Sequence, residues 1–228
     1  MLVQDQMTSN PICGHPDMSI EEIQAIMRRN NFRHLPIVGE HKSLVGLVTQ
    51  RSLAGTIQAD QQTLSSYEVK YILAKVRARD IMVKDVITTT EDMAIEEAAR
   101  IMADKKLGCL PVMRDGKLVG IITDNDLFAV MVNLLGARRA GTRITVLHPD
   151  RPGEIARLTK AIADKGGNLS VAVTFPTADP SIWTSVFKVA NVPEETLVET
   201  IKNLPDIRIT DVRSLEIARS VNTLPSYL

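Results

Sequence analysis

The sequence predicts a mixed α/β protein: two repeats of a β-α-β-β-α unit packed as a pseudo-twofold pair, followed by a β-α-β-β-α-β unit. Three observations predict this. The segment "GLVTQRSL" at Gly46 returns as "GIITDNDL" at Gly120. "FRHLPIV" at Phe32 returns as "LGCLPVM" at Leu107, an offset of 75 from Pro36 to Pro111. Past Gly141 the apolar pattern changes and the repeat stops. Repeats decide architecture, and units this small rarely bury both faces of a sheet alone.

In order, "VQDQMTSNPI" matches "ARDIMVKDVI", aligning Asp5 with Asp80 and Met7 with Met82. A short strand is expected at Ile12 and at Ile87. A helix follows each, with the stripe Ile20, Ile23, Met27 in copy one and Ile95, Ala98, Ala99, Met102 in copy two. Ser19 and Glu22 have capping-box spacing, whereas Ala94 stands in the matching place of copy two. Two strands come next, "HLPIV" and "SLVGLVT", then "CLPVM" and "KLVGIIT". The offset drops from 75 to 74 between them, where "GEHKS" shortens to "RDGK" around a tight Asp115-Gly116 turn. A helix leaves each Thr position, and "SYEVKYILAKV" from Ser66 reads as an amphipathic helix joining the copies.

The repeat resembles the tandem cystathionine-β-synthase (CBS) module, on Asp80, Met82, Leu110-Pro111-Val112, Gly120 and Thr123-Asp124-Asn125-Asp126 with their counterparts in copy one. That resemblance covers roughly residues 1 to 136 and implies clefts between the copies that bind an adenosine nucleotide: AMP, ADP or ATP. A helix N-terminus suits phosphate, and Asp126 can accept from both hydroxyls of a ribose. Thr123 and Asp126 can equally cap their own helix. Copy one has Ser52 where copy two has Asp126, so its cleft is expected to be a weaker second nucleotide site, formed by Ile12, Cys13, Pro36, Thr49 and Ser52. Around Asp126 and Thr123 the resemblance groups Ile87, Thr88, Cys109, Leu110 and Pro111 beside the adenine. Arg33 and His34 could reach phosphates or be ordinary strand-edge residues.

"GARRAGTR" reads as a linker with a basic corner, and a new unit begins at "TRITVLHPDRPGEIARL". Asp150 could cap the next helix, Pro152 suits its first turn, and Gly166-Gly167 ends it. Two strands joined at Asp179-Pro180, a helix and a final strand complete a ferredoxin-like order. Trp183, Ser185 and Phe187 share a strand face, which could be core or interface. "DRPGEIARL" and "KGGNL" resemble an ACT domain over about residues 141 to 218. That resemblance implies a small effector such as an amino acid, held by Asp150, Arg151, Pro152, Gly153, Glu154 and Ile155, with Gly167 and Asn168 from a facing loop. The same residues can serve only to start the helix and turn the chain. The expected boundaries are 1–76, 77–136, a linker at 137–140, 141–218, and a loosely held tail at 219–228.

CBS, CBS and ACT in one chain resemble the acetoin-utilisation regulatory family, which implies a stand-alone regulator acting on some target protein. Equal numbers of basic and acidic residues, 27 each, argue against broad binding to nucleic acid or membrane. No apolar N-terminal run resembles a signal peptide, since Asp5, Asn10 and Pro11 interrupt it, and the two cysteines fit a reducing cytoplasm. Nothing in the sequence has the spacing of a nucleophile elbow, a zinc motif or a phosphate loop, so neither catalysis nor a metal is expected. Asp124 and Asp126 are close but do not face one another on a helix. A homodimer is expected; the alternative function is a structural dimer whose clefts stay empty.

Overall fold

The computed structural model describes residues 1–60 and 75–215. All but the last two residues of the joining helix expected at 66–76 lie outside that range, as do residues 216–218 and the tail at 219–228. The chain divides into two compact units, Met1–Ala129 and Val130–Leu228.

In the first unit, copy one supplies β1 (Thr8–Ser9), α1 (Ile20–Arg29), β2 (His34–Val38), β3 (Leu44–Thr49) and α2 (Gln50–Asp60). Copy two supplies α3 (Ala78–Ile81), β4 (Thr89–Thr90), α4 (Ile95–Lys105), β5 (Cys109–Arg114) and β6 (Lys117–Thr123), and α5 (Asp124–Leu134) follows. Both helical stripes are buried as expected, except that Ala99 is half-buried. Ser19 and Glu22 close a capping box, the Ser19 N–H donating to Glu22 Oε2 at 2.8 Å, while Ala94 offers no side-chain cap. The Asp115-Gly116 turn has both residues at positive φ, 50° and 73°. Such a turn matches the twist of the strands it joins.

The entry strands depart from expectation. Ile12 and Ile87 lie outside any strand and are exposed, and the strands form at Thr8–Ser9 and Thr89–Thr90. Asn10 turns the chain at φ 47°, and Pro11 has no N–H to give a ladder. β1 also pairs with the other copy: Thr8 lies opposite Ile121 and Ser9 opposite Gly120 on β6. The sheets are therefore unequal, β1-β6-β5-β4 against a lone β2-β3 pair.

This exchange runs in both directions. The N–H groups of Val3 and Gln4 donate to the carbonyls of Met93 and Glu91, at 2.9 and 3.0 Å. In the mirror arrangement Ala78 and Arg79 donate to Met18 and Pro16, at 2.8 and 3.0 Å. Asp5 and Asp80, the acid shared by the two words, accept from the N–H groups of Leu2 and Arg77, each at 2.8 Å. The shared methionines and glycines meet crosswise. A β-carbon added at Gly120 would lie 2.3 Å from Met7 Sδ, and one at Gly46 would lie 2.5 Å from Met82 Sδ. Leu47, Cys109 and Ile121, with Val86 against them, bury a small apolar seam between the copies.

In the second unit β7 (Gly141–Pro149), α6 (Glu154–Asp164), β8 (Asn168–Pro176), β9 (Ile182–Ala190), α7 (Glu194–Lys202) and β10 (Arg208–Leu215) form an antiparallel sheet ordered β10-β7-β9-β8. Both helices seal one face, with Leu158, Ile162, Leu197 and Ile201 over Ile144, Val146, Phe187 and Val189. Phe187 is thus core. Ser185 is fully buried beside it and reaches His148 Nε2 at 2.8 Å. His148 Nδ1 donates to the Pro149 carbonyl at 2.9 Å, which leaves Nε2 to accept from the Ser185 hydroxyl. Asp150 does not cap α6: Gly153 stands at the N-cap with φ 89° and no side-chain bond, and the Asp150 N–H donates to the Ser181 carbonyl.

The crosswise contacts predict an asymmetry in mutational cost. Gly46→Ala should lose about 1–3 kcal/mol of stability by overpacking against Met82. Adding Met82→Ala should cost less than the two single changes summed, because the first clash vanishes with the sulfur. Chemical denaturation of the two single variants and the double variant checks this.

Candidate functional site

Each strand-to-helix junction is held by a local loop of hydrogen bonds. At the second, Asp126 Oδ2 accepts from the Thr123 N–H at 2.8 Å and from the Thr123 hydroxyl at 2.7 Å. The capping role is therefore real. Among the described residues, however, Oδ1 accepts no hydrogen bond, and Asp126 is half-buried and lines a cavity of about 420 Å³. At the first junction Ser52 turns inward instead. Its hydroxyl accepts from the Thr49 N–H at 3.0 Å and donates to the Thr49 carbonyl at 2.9 Å, and Ser52 lines no described cavity.

The exchange regroups the residues expected at each cleft. With Thr123 and Asp126 the first cavity collects Pro11, Ile12, Phe32, Arg33, His34, Pro36 and Ile121. The second cavity, about 450 Å³, collects Thr49, Val86, Ile87 and Cys109 with Arg33 and His34. Ile12 and Pro36 thus stand with Asp126, and Ile87 and Cys109 stand with Thr49, the reverse of the grouping read from the sequence. Each copy's entry segment crosses to the other copy's junction, which a linear repeat does not reveal. Leu110 and Pro111 are buried strand residues, Thr88 is exposed, and none of the three lines either cavity. Cys13 borders a smaller hollow with Asn10, Lys42 and Leu118; burial raises its thiol pKa and Lys42 opposes that. Burial pushes the Cys109 thiol up to about 12, helped by the Asp124 charge, so it stays protonated.

Arg33, His34 and Asp124 border both cavities. Arg33 Nη2 donates to both Asp124 oxygens, at 3.0 and 3.1 Å. That pair is partly exposed and worth at most about 1 kcal/mol, so an incoming anion can compete for the guanidinium. The His34 imidazole sits where a side chain at position 108 would lie: a β-carbon on Gly108 would be 2.8 Å from its Nε2. Burial, then the Arg33 charge, hold the His34 pKa below its ordinary value, against the pull of Asp124. Both effects favour the neutral imidazole, which makes His34 a poorer partner for a phosphate than a cation would be. Nothing in the spacing of residues marks Asp124 as the partner of Arg33, since 91 positions separate them.

In the second unit an open hollow is lined by Pro149, Asp150, Arg151, Pro180, Ser181, Ile182 and Asp206. Of the expected effector residues it gathers only Asp150 and Arg151. Arg151 Nη2 donates to Asp206 Oδ2 at 2.8 Å. Glu154 is buried and its carboxylate is bound by Arg157, whose Nη1 also donates to the Pro205 carbonyl at 3.0 Å. Pro152 and Gly153 form the turn into α6, Ile155 lies in its first turn against the core, and none of the three lines the hollow. Gly167 and Asn168 follow the other end of α6, roughly 16 Å away at 1.5 Å per residue. One copy of this unit therefore does not bring the two groups together, because a crossover helix separates them.

Residues 3–59 and 78–133 each match the CBS domain, and residues 142–206 match the ACT domain. A crystal structure from Vibrio cholerae, provisionally assigned to acetoin utilisation (AcuB), is 31% identical, matching 60% of this chain and 93% of that one with a TM-score of 0.52. The CBS domain pair of protein MJ0100, solved in complex with 5′-methylthioadenosine and S-adenosyl-L-methionine, is 32% identical over 57% of this chain and 95% of that one, TM-score 0.49. The L-aspartate semialdehyde sulfurtransferase of Methanocaldococcus jannaschii is 32% identical over 127 residues, 55% of this chain and 22% of that protein. The chain spans 22%, 57% and 45% of the length of three curated relatives it matches, the sulfurtransferase being the first. Among the described residues no helix is long and apolar enough to cross a membrane.

The lowered His34 pKa sets a pH dependence. The folded protein binds this proton less readily than the unfolded chain, so stability is full above the unfolded value of about 6.5 and falls as pH drops below it. His34→Gln should flatten that fall. Melting temperatures of both proteins across that range measure it, and parallel curves would assign the titration to another group.

Proposed function

The chain belongs to the CBS-domain family, as a tandem CBS pair followed by an ACT domain, and on that premise we propose that it is a non-catalytic regulator whose Asp126 cavity receives the ribose of an adenosine nucleotide. One observation carries the reading. Thr123 fixes one oxygen of the Asp126 carboxylate and leaves the other unengaged beside a cavity with apolar walls. Pro11, Ile12, Phe32, Pro36 and Ile121 give a base its apolar surfaces, and the volume is that of a small-ligand site. The division at 1–76, 77–136 and 141–218 belongs to the same proposal.

On this reading the second unit meets a small effector, such as an amino acid, at Asp150 and Arg151. A carboxylate there would compete with Asp206 for the guanidinium. The protein acts in the cytoplasm on a target protein, as a homodimer. The pairing is supported by one apolar face of α5 and its end, where Phe128, Met131, Leu134 and Leu135 are all about half exposed.

The test is calorimetric titration of adenosine and AMP into wild type and Asp126→Asn. Asparagine keeps an oxygen for the Thr123 cap and removes the charge. Loss of a charge-assisted hydrogen bond, about 1.5–3 kcal/mol, should weaken binding roughly ten- to a hundred-fold with little change in melting temperature. Equal affinity in the two proteins would remove Asp126 from the site. Light scattering on the same samples should give twice the chain mass; a single chain mass would refute the dimer.

A further inference from the structure

We propose that the second cavity, lined by Thr49, Arg51, Asp85 and Lys106, is a site for a phosphate-rich anion and does not select for ribose. The two cavities have similar volumes but opposite charge. Around the first stand one cation, Arg33, and two carboxylates, Asp124 and Asp126. Arg33 is already spent on Asp124, so the free charge there is the Asp126 carboxylate. Around the second stand three cations, Arg33, Arg51 and Lys106, against Asp85 and Asp124. With Arg33 and Asp124 paired, Arg51 and Lys106 outnumber Asp85. Among the described residues neither Arg51 nor Lys106 has an ion pair.

The ribose grip is also missing. The residue equivalent to Asp126 is Ser52, which is turned into its own junction and lies outside the cavity wall. Asp85 is the one unpaired carboxylate left in the wall. A ligand there gains from charge and little from sugar hydroxyls. The substitution of Ser52 for the acid thus changes the class of ligand, where the repeat alone suggests only a weaker copy of the same site.

Arg51 and Lys106 come from different copies. Arg51 lies in the first turn of α2, and Lys106 caps α4 in a left-handed conformation at φ 54°. Two cations brought to one cavity from different copies suit a ligand with several anionic groups, such as a di- or triphosphate.

The experiment titrates inorganic tripolyphosphate, which has no sugar and no base, into the full chain at two salt concentrations. The proposal expects binding that weakens with salt. Binding should fall roughly tenfold or more in the R51A/K106A double variant, with melting temperature and adenosine affinity unchanged. Asp126→Asn should leave tripolyphosphate affinity as it is. No binding of tripolyphosphate to wild type, equal binding to wild type and R51A/K106A, or loss in Asp126→Asn would each overturn it. Should the double variant fold poorly, R51Q and K106Q singly carry the same test. Adenosine reports separately on the Asp126 cavity, so either site can fail without the other.

Discussion

The first unit depends on a reciprocal exchange of chain between two copies of one motif. Each copy sends its entry segment across the pseudo-twofold axis, where main-chain N–H groups find carbonyls of the other copy. A methionine lies against a glycine at the far end, Met7 on Gly120 and Met82 on Gly46. Hydrogen bonds that a short edge would otherwise leave to water are satisfied between the copies. The glycines have a steric role here: a side chain at either would occupy the space of a sulfur.

That exchange also builds the cavities. A junction of strand and helix is one wall, and the opposite wall is the entry segment of the other copy, Pro11-Ile12 facing the Asp126 junction and Val86-Ile87 facing the Thr49 junction. Both junctions start from a threonine, Thr49 and Thr123, and the three residues that follow differ, Gln50-Arg51-Ser52 against Asp124-Asn125-Asp126. Asp126 has two oxygens, so it can close its own turn and still present an acceptor. Ser52 has one, uncharged, and its hydroxyl accepts from the Thr49 N–H and donates its proton to the Thr49 carbonyl. The carboxylate thus closes its turn and keeps an unengaged oxygen, which the single hydroxyl of serine does not have. Arg33 and Asp124 close the partition between the two spaces, which makes that ion pair common to both walls.

Much of this was legible in the sequence, and the reasons for the remainder are physical. Local rules hold where local chemistry decides. Ser19 and Glu22 box the first helix, Asp115-Gly116 turns the hairpin, Phe187 is core, and Thr123 meets Asp126 three residues on. The repeat itself announces two like units. Periodicity states which residues share a face, however, and says nothing about which copy that face meets. Ile12 and Ile87 therefore each line a cavity with the junction of the opposite copy, a grouping that the repeat does not reveal. Arg33 and Asp124 meet only through the fold, and their charges carry no spacing signal. In the second unit Asp150 has the composition of a cap, but Gly153 at positive φ takes the position, and the Asp150 N–H is drawn to Ser181. Competition between a side-chain cap and a neighbouring strand is settled by tertiary geometry, outside any window of sequence.

On the function proposed above, one carboxylate, fixed by its own threonine, grips a ribose against the entry segment of the other copy. A crystal structure of the full chain with AMP tests it most directly. The account predicts a ribose hydroxyl about 2.7 Å from the unengaged oxygen of Asp126, Thr123 still donating to the other oxygen, and the base against Pro11 and Ile12. A ribose seated at Thr49 and Ser52, or an Asp126 side chain rotated away from a filled cavity, would contradict it.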